Sequence, residues 1–242
     1  MTNYAVIRGI DILVMPNQAE FINFLLDAHS LKKGKLIAIN AEKVILCEED
    51  SEMAQLLAQS EYKYADGISV VLSIKKKYPQ YQYIERIAGA DLWEGLMQRA
   101  GELQIPVFLV GSKVETLKET EEKLKKQWQV NIVGTHDGYF SSEQESALIQ
   151  QITQSQAKLV TVAMGSPKQE KFIQKAQKQY PDALYMGVGG TYDVFVGRVK
   201  RAPKIWRNFG LEWLYRLISQ PTRWKRQLRL IKYAYYYVTK QL

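Results

Sequence analysis

The sequence predicts an α/β fold: a mostly parallel sheet covered by helices on both faces, with a basic helical appendage after it. Three observations predict it. Short, continuous apolar runs alternate with helical patterns over the first 197 residues, and strands buried on both faces read as such runs. Five of those runs stop at or just before a glycine, as expected where strands hand over to tight turns. Charge is also split along the chain. From Arg198 to Leu242 twelve Lys or Arg face a single acid, Glu212, a net of +11 out of a whole-chain +8, which leaves the preceding residues at −3.

Taken in order, Tyr4–Val14 alternates loosely around Gly9 and reads as a hairpin or an edge addition. Lys35–Ile39 is a strand, followed by a helix over Glu42–Ala58. Tyr62–Ala65 is a short strand leading through Gly67 into a helix that ends near Tyr78. Ala90–Leu103 has helical apolar spacing, and Pro106–Val110 is a continuous apolar strand ending at Gly111. Val114–Trp128 is a charged amphipathic helix, Val130–Val133 a strand, and Ser142–Ser155 a helix. Leu159–Ala163 is a strand before Gly165, Pro167–Tyr180 a helix, and Ala183–Val188 a strand ending at Gly189-Gly190. Pro221 suits the first turn of a last helix. There Trp224, Leu228, Ile231, Tyr235 and Val238 form an apolar stripe at alternating steps of four and three residues, beside a basic face. The expected division is an α/β body over 1–197 and an amphipathic appendage over 198–242. The body is Rossmann-like.

Bulk properties narrow the class. With 46% hydrophobic residues among 242, the chain can build a full core, and disorder is excluded. One cysteine, Cys47, excludes a disulfide framework or a multi-cysteine metal site and fits a reducing compartment. No apolar run approaches the length that crosses a bilayer, and Met1–Tyr4 lacks the start of a signal peptide. The expectation is a cytoplasmic protein, peripheral at the inner face of the cytoplasmic membrane if it meets one. A cationic, aromatic, amphipathic tail is suited to phosphate-bearing surfaces, lipid or nucleic acid. A helix packed on its own domain or on a second copy in a homo-oligomer is the plainer reading of the same stripe.

In a parallel sheet, ligands bind outside the carboxyl ends of the strands. The candidates are therefore Asn40, Asp66-Gly67, Gly111-Ser112, Gly134 to Gly138, Gly165 to Gln169 and Gly187 to Asp193. Backbone brought close to a diphosphate accounts for glycines there, as do ordinary turns. Gly187-Val-Gly-Gly190 follows a strand, but no acid sits about 20 residues on to hold a ribose, so a nicotinamide site is disfavoured. There is no P-loop and no Asp-x-Asp clamp for a metal-nucleotide complex. His29 and His136 lack metal-ligand company.

Longer motifs are more specific. Asn40-Ala-Glu42, Ala65-Asp-Gly67, Arg86-x-x-Gly89-x-Asp91-Leu92, Phe108-Leu-Val-Gly111, Gly138-Tyr-Phe140, Gly165-Ser-Pro-Lys-Gln-Glu170 and Gly187-Val-Gly-Gly190 occur in this order. Gly197-x-x-x-Arg201-Ala-Pro203 and Gly210-Leu-Glu-Trp-Leu-Tyr-Arg216 follow. The series strongly resembles the WecG/TagA/CpsF glycosyltransferases over essentially the whole chain. The resemblance implies the GT-E form of the fold and an inverting, metal-independent hexosyl transfer with no cofactor, in keeping with the missing Asp-x-Asp. Ile39–Lys43, Lys63–Val71 and Val162–Glu170 are similar to the branch that moves N-acetyl-D-mannosaminuronic acid from UDP to GlcNAc-diphosphoundecaprenol, forming lipid II of enterobacterial common antigen. The alternative is the branch that transfers N-acetylmannosamine for wall teichoic acid.

Carried over residue by residue, the resemblance makes Asp66 the catalytic base, with a helix cap as its plain alternative. Asn40 and Arg86 match the acceptor side. Gly111, Gly165, Gly189 and Gly190 can supply backbone amides to the leaving diphosphate, and the resemblance adds Gln169, Tyr139 and Asp193 to the nucleotide pocket, although Tyr139 suits a core equally well. Arg216, Arg223 and Arg226 match arginines that reach over the site to the diphosphate. Lys43, with Lys168 as the other choice, is a candidate cation for the donor carboxylate, a solvated helix lysine being the bland reading. The partners implied are the UDP-sugar, the polyprenyl-diphosphate acceptor and an anionic membrane, and not nucleic acid. A nucleic-acid-binding module would leave the glycine-rich strand ends idle. An NAD-dependent oxidoreductase would leave the tail idle.

Overall fold

The computed structural model describes residues 3–203, 206, 214–215 and 224–242, without the side chains of 224–227. Its centre is a six-stranded, all-parallel sheet in the order β6-β5-β10-β9-β7-β8. The strands are β5 (Gly34–Ile39), β6 (Tyr62–Ala65), β7 (Val107–Gly111), β8 (Ile132–His136), β9 (Leu159–Ala163) and β10 (Leu184–Gly187). Ahead of them lie the antiparallel hairpin β1 (Tyr4–Ile7) and β2 (Ile10–Leu13), helix α1 (Gln18–Leu25) and a two-residue-per-strand ladder, β3 (Leu26–Asp27) with β4 (Ser30–Leu31).

Helices α2 (Ala41–Glu49), α3 (Ser51–Ala58), α7 (Ser142–Gln154) and α8 (Lys168–Gln179) cover one face. Helices α5 (Gly89–Glu102), α6 (Val114–Trp128) and the short α9 (Thr191–Phe195) cover the other with α1. Side chains along β7 show the division. Val107 and Leu109 enter the core with Trp93 and Leu124, and Phe108 and Val110 enter the core with Ile149 and Phe172. That alternation, fully buried on both sides, is why the strand reads as an unbroken apolar run. Helix α4 (Ile68–Lys77) follows β6 and packs with the β1–β2 hairpin, which supplies Ala5, Ile7, Ile10 and Ile12 to its core.

Three departures from expectation have local causes. The single helix expected over 42–58 is two, because Asp50 breaks the first and caps the second, accepting from Glu52 N and Met53 N. Strand β8 lies two residues later than Val130–Val133, since Gln129 turns left-handed at φ 53 to end α6 and Val130 is buried in that turn. Helix α1 begins at the Asn17 cap, whose side chain accepts from Glu20 N.

The C-terminal helix α10 (Trp224–Val238) lies against α2. Tyr233 is 2% exposed in the core beneath it and donates to Ser73 Oγ at 2.8 Å. Burying one such side chain contributes roughly 2–3 kcal/mol. Glu48 gathers Arg8, Lys232 and Tyr236, and Arg229 pairs with Glu49. Tyr233 meets Ser73 and the Tyr237 carbonyl meets Lys76, so α10 runs beside α4 in the same sense. Its first turn therefore points toward the carboxyl edge of the sheet. The stripe foreseen on α10 faces outward: Leu228, Ile231, Tyr235 and Val238 are all more than half exposed. Among the described residues, no helix is long and apolar enough to cross a membrane.

Candidate active site

Six parallel strands bring six carboxyl ends to one edge. Along it lie Asp66 after β6, Asn40 after β5, Gly189-Gly190 after β10, Gly165 after β9, Gly111-Ser112 after β7 and Tyr139 after β8. From β7 the chain leaves outward through α6, and from β9 it leaves in the opposite direction through α8 on the other face. Opposed exits open a crevice at that switch point.

Asp66 sits on the outer side of this edge. Its N–H donates to Ile39 O at 3.0 Å, fixing it beside β5. Gly67 caps α4 with no side-chain bond, so Asp66 does not cap the helix that follows it. Its Oδ1 instead accepts the first N–H of α5, from Gly89 at 2.7 Å. A carboxylate there meets the positive end of a fourteen-residue helix, which stabilises negative charge. Arg86 Nε donates to the Asp66 carbonyl at 2.8 Å, placing the guanidinium beside the carboxylate's own loop. Asn40 adjoins them, since a Cβ on Gly67 would stand 3.3 Å from Asn40 Cβ. Asn40 Oδ1 caps α2 by accepting from Lys43 N at 2.9 Å, which leaves its Nδ2 as the group able to donate elsewhere.

The inner side is built of backbone. Gly111 has φ 112, and a Cβ there would lie 2.5 Å from Ala163 O, so β7 and β9 close on each other only because residue 111 has no side chain. Gly165 and Gly189 also have positive φ, with open space where a Cβ would be. Asp193, in the first turn of α9, accepts from Thr116 Oγ1 at 3.2 Å and Ser112 Oγ at 3.5 Å. Gln169 is 5% exposed, with Oε1 accepting from Gly189 N at 2.9 Å. Tyr139 is 73% exposed at the mouth of this side, so it is not a core residue.

The arrangement offers a carboxylate with a guanidinium on one side and amide-rich turns on the other, suited to proton removal beside an anionic leaving group. The family model for the WecG/TagA/CpsF glycosyl transferases matches residues 6–242. The chain belongs to this family. Members of the WecG/TagA/CpsF family use a sugar-nucleotide donor and a lipid-linked acceptor.

Not every expected residue stands as foreseen. Lys43 Nζ is paired with Glu170 Oε1 at 2.9 Å, and both side chains are largely buried. Its charge is already matched, so it is not a solvated lysine, and a donor carboxylate would have to displace Glu170. Lys168 is exposed at the start of α8, on the crevice edge. Arg216 and Arg223 lie outside the described residues. Arg226 is in α10 with its side chain outside them. Two contacts escaped the sequence reading although their residues stand in its motifs: the Lys43–Glu170 pair and a two-pronged ion pair of Arg201 with Asp91. The latter ties the chain after α9 to the first turn of α5, next to Gly89. Sequence spacing carries no sign of which acid a given cation meets 110 or more residues away.

Proposed function

We propose that the protein is an inverting transferase that moves N-acetyl-D-mannosaminuronic acid from UDP to GlcNAc-diphosphoundecaprenol, as in enterobacterial common antigen synthesis. The observation that carries this reading is the juxtaposition of Asp66, Asn40 and the Gly189 turn on three neighbouring strands. Two strand spacings, about 10 Å, separate β6 from β10, which is room for a sugar ring between a base and a leaving diphosphate. Asp66 removes the proton of the acceptor 4-hydroxyl. That oxygen attacks the anomeric carbon from one face, the bond to UDP breaks on the other, and configuration inverts.

Arg86 and the Nδ2 of Asn40 orient the acceptor. Backbone N–H groups at Gly111, Gly165 and Gly190, in a turn that the Gly189–Gln169 bond holds in place, and the N-terminus of α8 hold the departing diphosphate without a cofactor. Tyr139, exposed at the mouth, offers a face to the uracil, and Asp193 offers acceptors to the ribose. Arg216, Arg223 and Arg226 reach the diphosphate from the tail, a role that the direction of α10 supports for Arg226 alone. Lys168, exposed at the start of α8, meets the donor carboxylate. The outward stripe of α10 and its basic neighbours rest on the anionic inner face of the membrane, where the acceptor lies.

Purified protein incubated with a GlcNAc-diphospholipid and either UDP-N-acetylmannosaminuronic acid or UDP-N-acetylmannosamine, with mass spectrometry of the product, tests it. Transfer of the uronic acid supports the reading. Transfer of N-acetylmannosamine alone assigns the teichoic-acid-type reaction, and no transfer from either donor overturns both.

A further inference from the structure

Lys43 and Glu170 form an ion pair whose carboxylate side chain is 2% exposed. Burial works to raise the Glu170 carboxyl. The Lys43 ammonium outweighs that, with help from backbone and Gln169 hydrogen bonds, and the carboxyl is held below its usual range. Buried ion pairs are often matched or bettered in stability by apolar groups of similar size. Here the second oxygen, Glu170 Oε2, is buried with no hydrogen-bond partner among the described residues, a further cost. Stability does not account for such a pair.

Connectivity does. Asn40 Oδ1 accepts from Lys43 N at 2.9 Å, and Lys43 Nζ donates to Glu170 Oε1 at 2.9 Å. Gln169 Nε2 donates to the same Oε1 at 3.3 Å, and Gln169 Oε1 accepts from Gly189 N at 2.9 Å. A carboxylate only accepts and a backbone N–H only donates, so the charge on Glu170 dictates which way the Gln169 amide faces. Gly187 makes space for it: a Cβ there would stand 2.5 Å from Gln169 Nε2. One unbroken chain thus runs from the cap of α2 to the turn after β10, across the edge where the two substrates would meet.

We propose that Lys43 and Glu170 are positioning residues: the pair sets the Gln169 amide, which sets the Gly189 turn for the donor diphosphate and locks it to Asn40. The inference rests on the nucleotide reading of that turn. It gives Lys43 a role one step removed from the substrate, in place of direct contact with the donor sugar.

Lys43→Met alone strands a buried carboxylate and endangers folding, so the decisive variants are Glu170→Gln and the apolar replacement Lys43→Met with Glu170→Leu. The double variant should melt within about 4 °C of the parent yet bind UDP at least tenfold more weakly in calorimetry, a size in keeping with small misplacements at a site. The KM for the UDP-sugar should rise by a similar factor, with kcat less affected. Exchange of the Gly189 amide should accelerate about tenfold or more in Glu170→Gln, because a neutral amide no longer enforces the orientation of Gln169. A double variant with UDP affinity and KM within twofold of the parent, or parental Gly189 exchange in Glu170→Gln, would make the pair structural only. If the parent itself does not bind UDP, the nucleotide reading fails, and the exchange measurement alone decides whether the pair sets the turn.

Discussion

At the scale of single residues, one substitution separates the structural duty of Asp66 from the catalytic one proposed for it. Its Oδ1 satisfies the first N–H of α5, and its charge is what a base needs. Asn keeps the acceptor oxygen and removes the charge, so Asp66→Asn should fold and bind UDP as the parent does. Turnover should fall by about 10²- to 10⁴-fold, the scale of a lost general base. Steady-state kinetics beside a thermal melt check it, and turnover within tenfold of the parent would remove Asp66 from the chemistry. Two residues away, Tyr64 presents the opposite case. Its ring is buried against Phe21, burial pushes its phenol well above the usual value, and its hydroxyl has no hydrogen-bond partner among the described residues. Tyr64→Phe should therefore cost no stability and gain up to about 1 kcal/mol in denaturant unfolding. Asp66 was legible because an acid before a glycine at a strand end stands out against an apolar run. Glu170 and Asp91 were legible as motif letters but not as partners of Lys43 and Arg201, since contact across the sheet depends on how helices pack rather than on local pattern.

At the scale of elements, β5, β6, β7 and β9 could be read to within a residue, because their short runs are mainly apolar, although Lys35, Lys63 and Thr161 are buried among them. Elements held by tertiary contact were less legible. Helix α1 owes its place to Phe21 and Leu25 in the core as much as to its Asn17 cap, and β8 was displaced by a left-handed turn at Gln129. Helix α10 was legible as an amphipathic stripe, yet the face that packs on the body is a different one, carrying Leu230, Tyr233 and Tyr236. Its attachment should depend on pH. Burial raises the Glu48 carboxyl, but hydrogen bonds from Lys232, Arg8 and Tyr236 together win and hold it below the ordinary 4.5. A lowered carboxyl stabilises the docked state fully above its unfolded value, and that contribution is lost as pH falls through the lowered one. Opening of α10 in hydrogen exchange, corrected for intrinsic rates, should thus become easier below about pH 4. Glu48→Gln should abolish that acid dependence, and an unchanged pH profile in the variant would assign the effect to other groups.

At the scale of the whole molecule, the charge division along the sequence stands beside the outward face of α10. The body carries −3 and the segment after it +11. Leu228, Ile231, Tyr235 and Val238 form a continuous apolar strip on solvent, next to Arg229 and Lys232, whose charges are partly spent on Glu49 and Glu48. Exposed apolar strips beside cations mark surfaces that bind something. The first turn of α10 points toward the strand ends, so a bilayer met by this strip lies beside the crevice, where a lipid-linked sugar could enter without leaving the membrane. Truncating the tail is a poor test, because it strips Tyr233 from the core and exposes Ser73. Leu228→Ser with Ile231→Ser is a better one: both side chains are more than half exposed, so each change should move stability by no more than about 0.5 kcal/mol. The variant should keep parental activity toward a short, water-soluble GlcNAc-diphosphate acceptor, and flotation with vesicles containing anionic lipid should be lost. The parent's own binding should weaken from low salt to about 0.5 M salt without vanishing, because screening removes the Coulomb share and spares the apolar one. If the serine variant still floats with the vesicles, the strip is not what meets the membrane, and the basic residues outside it become the contact.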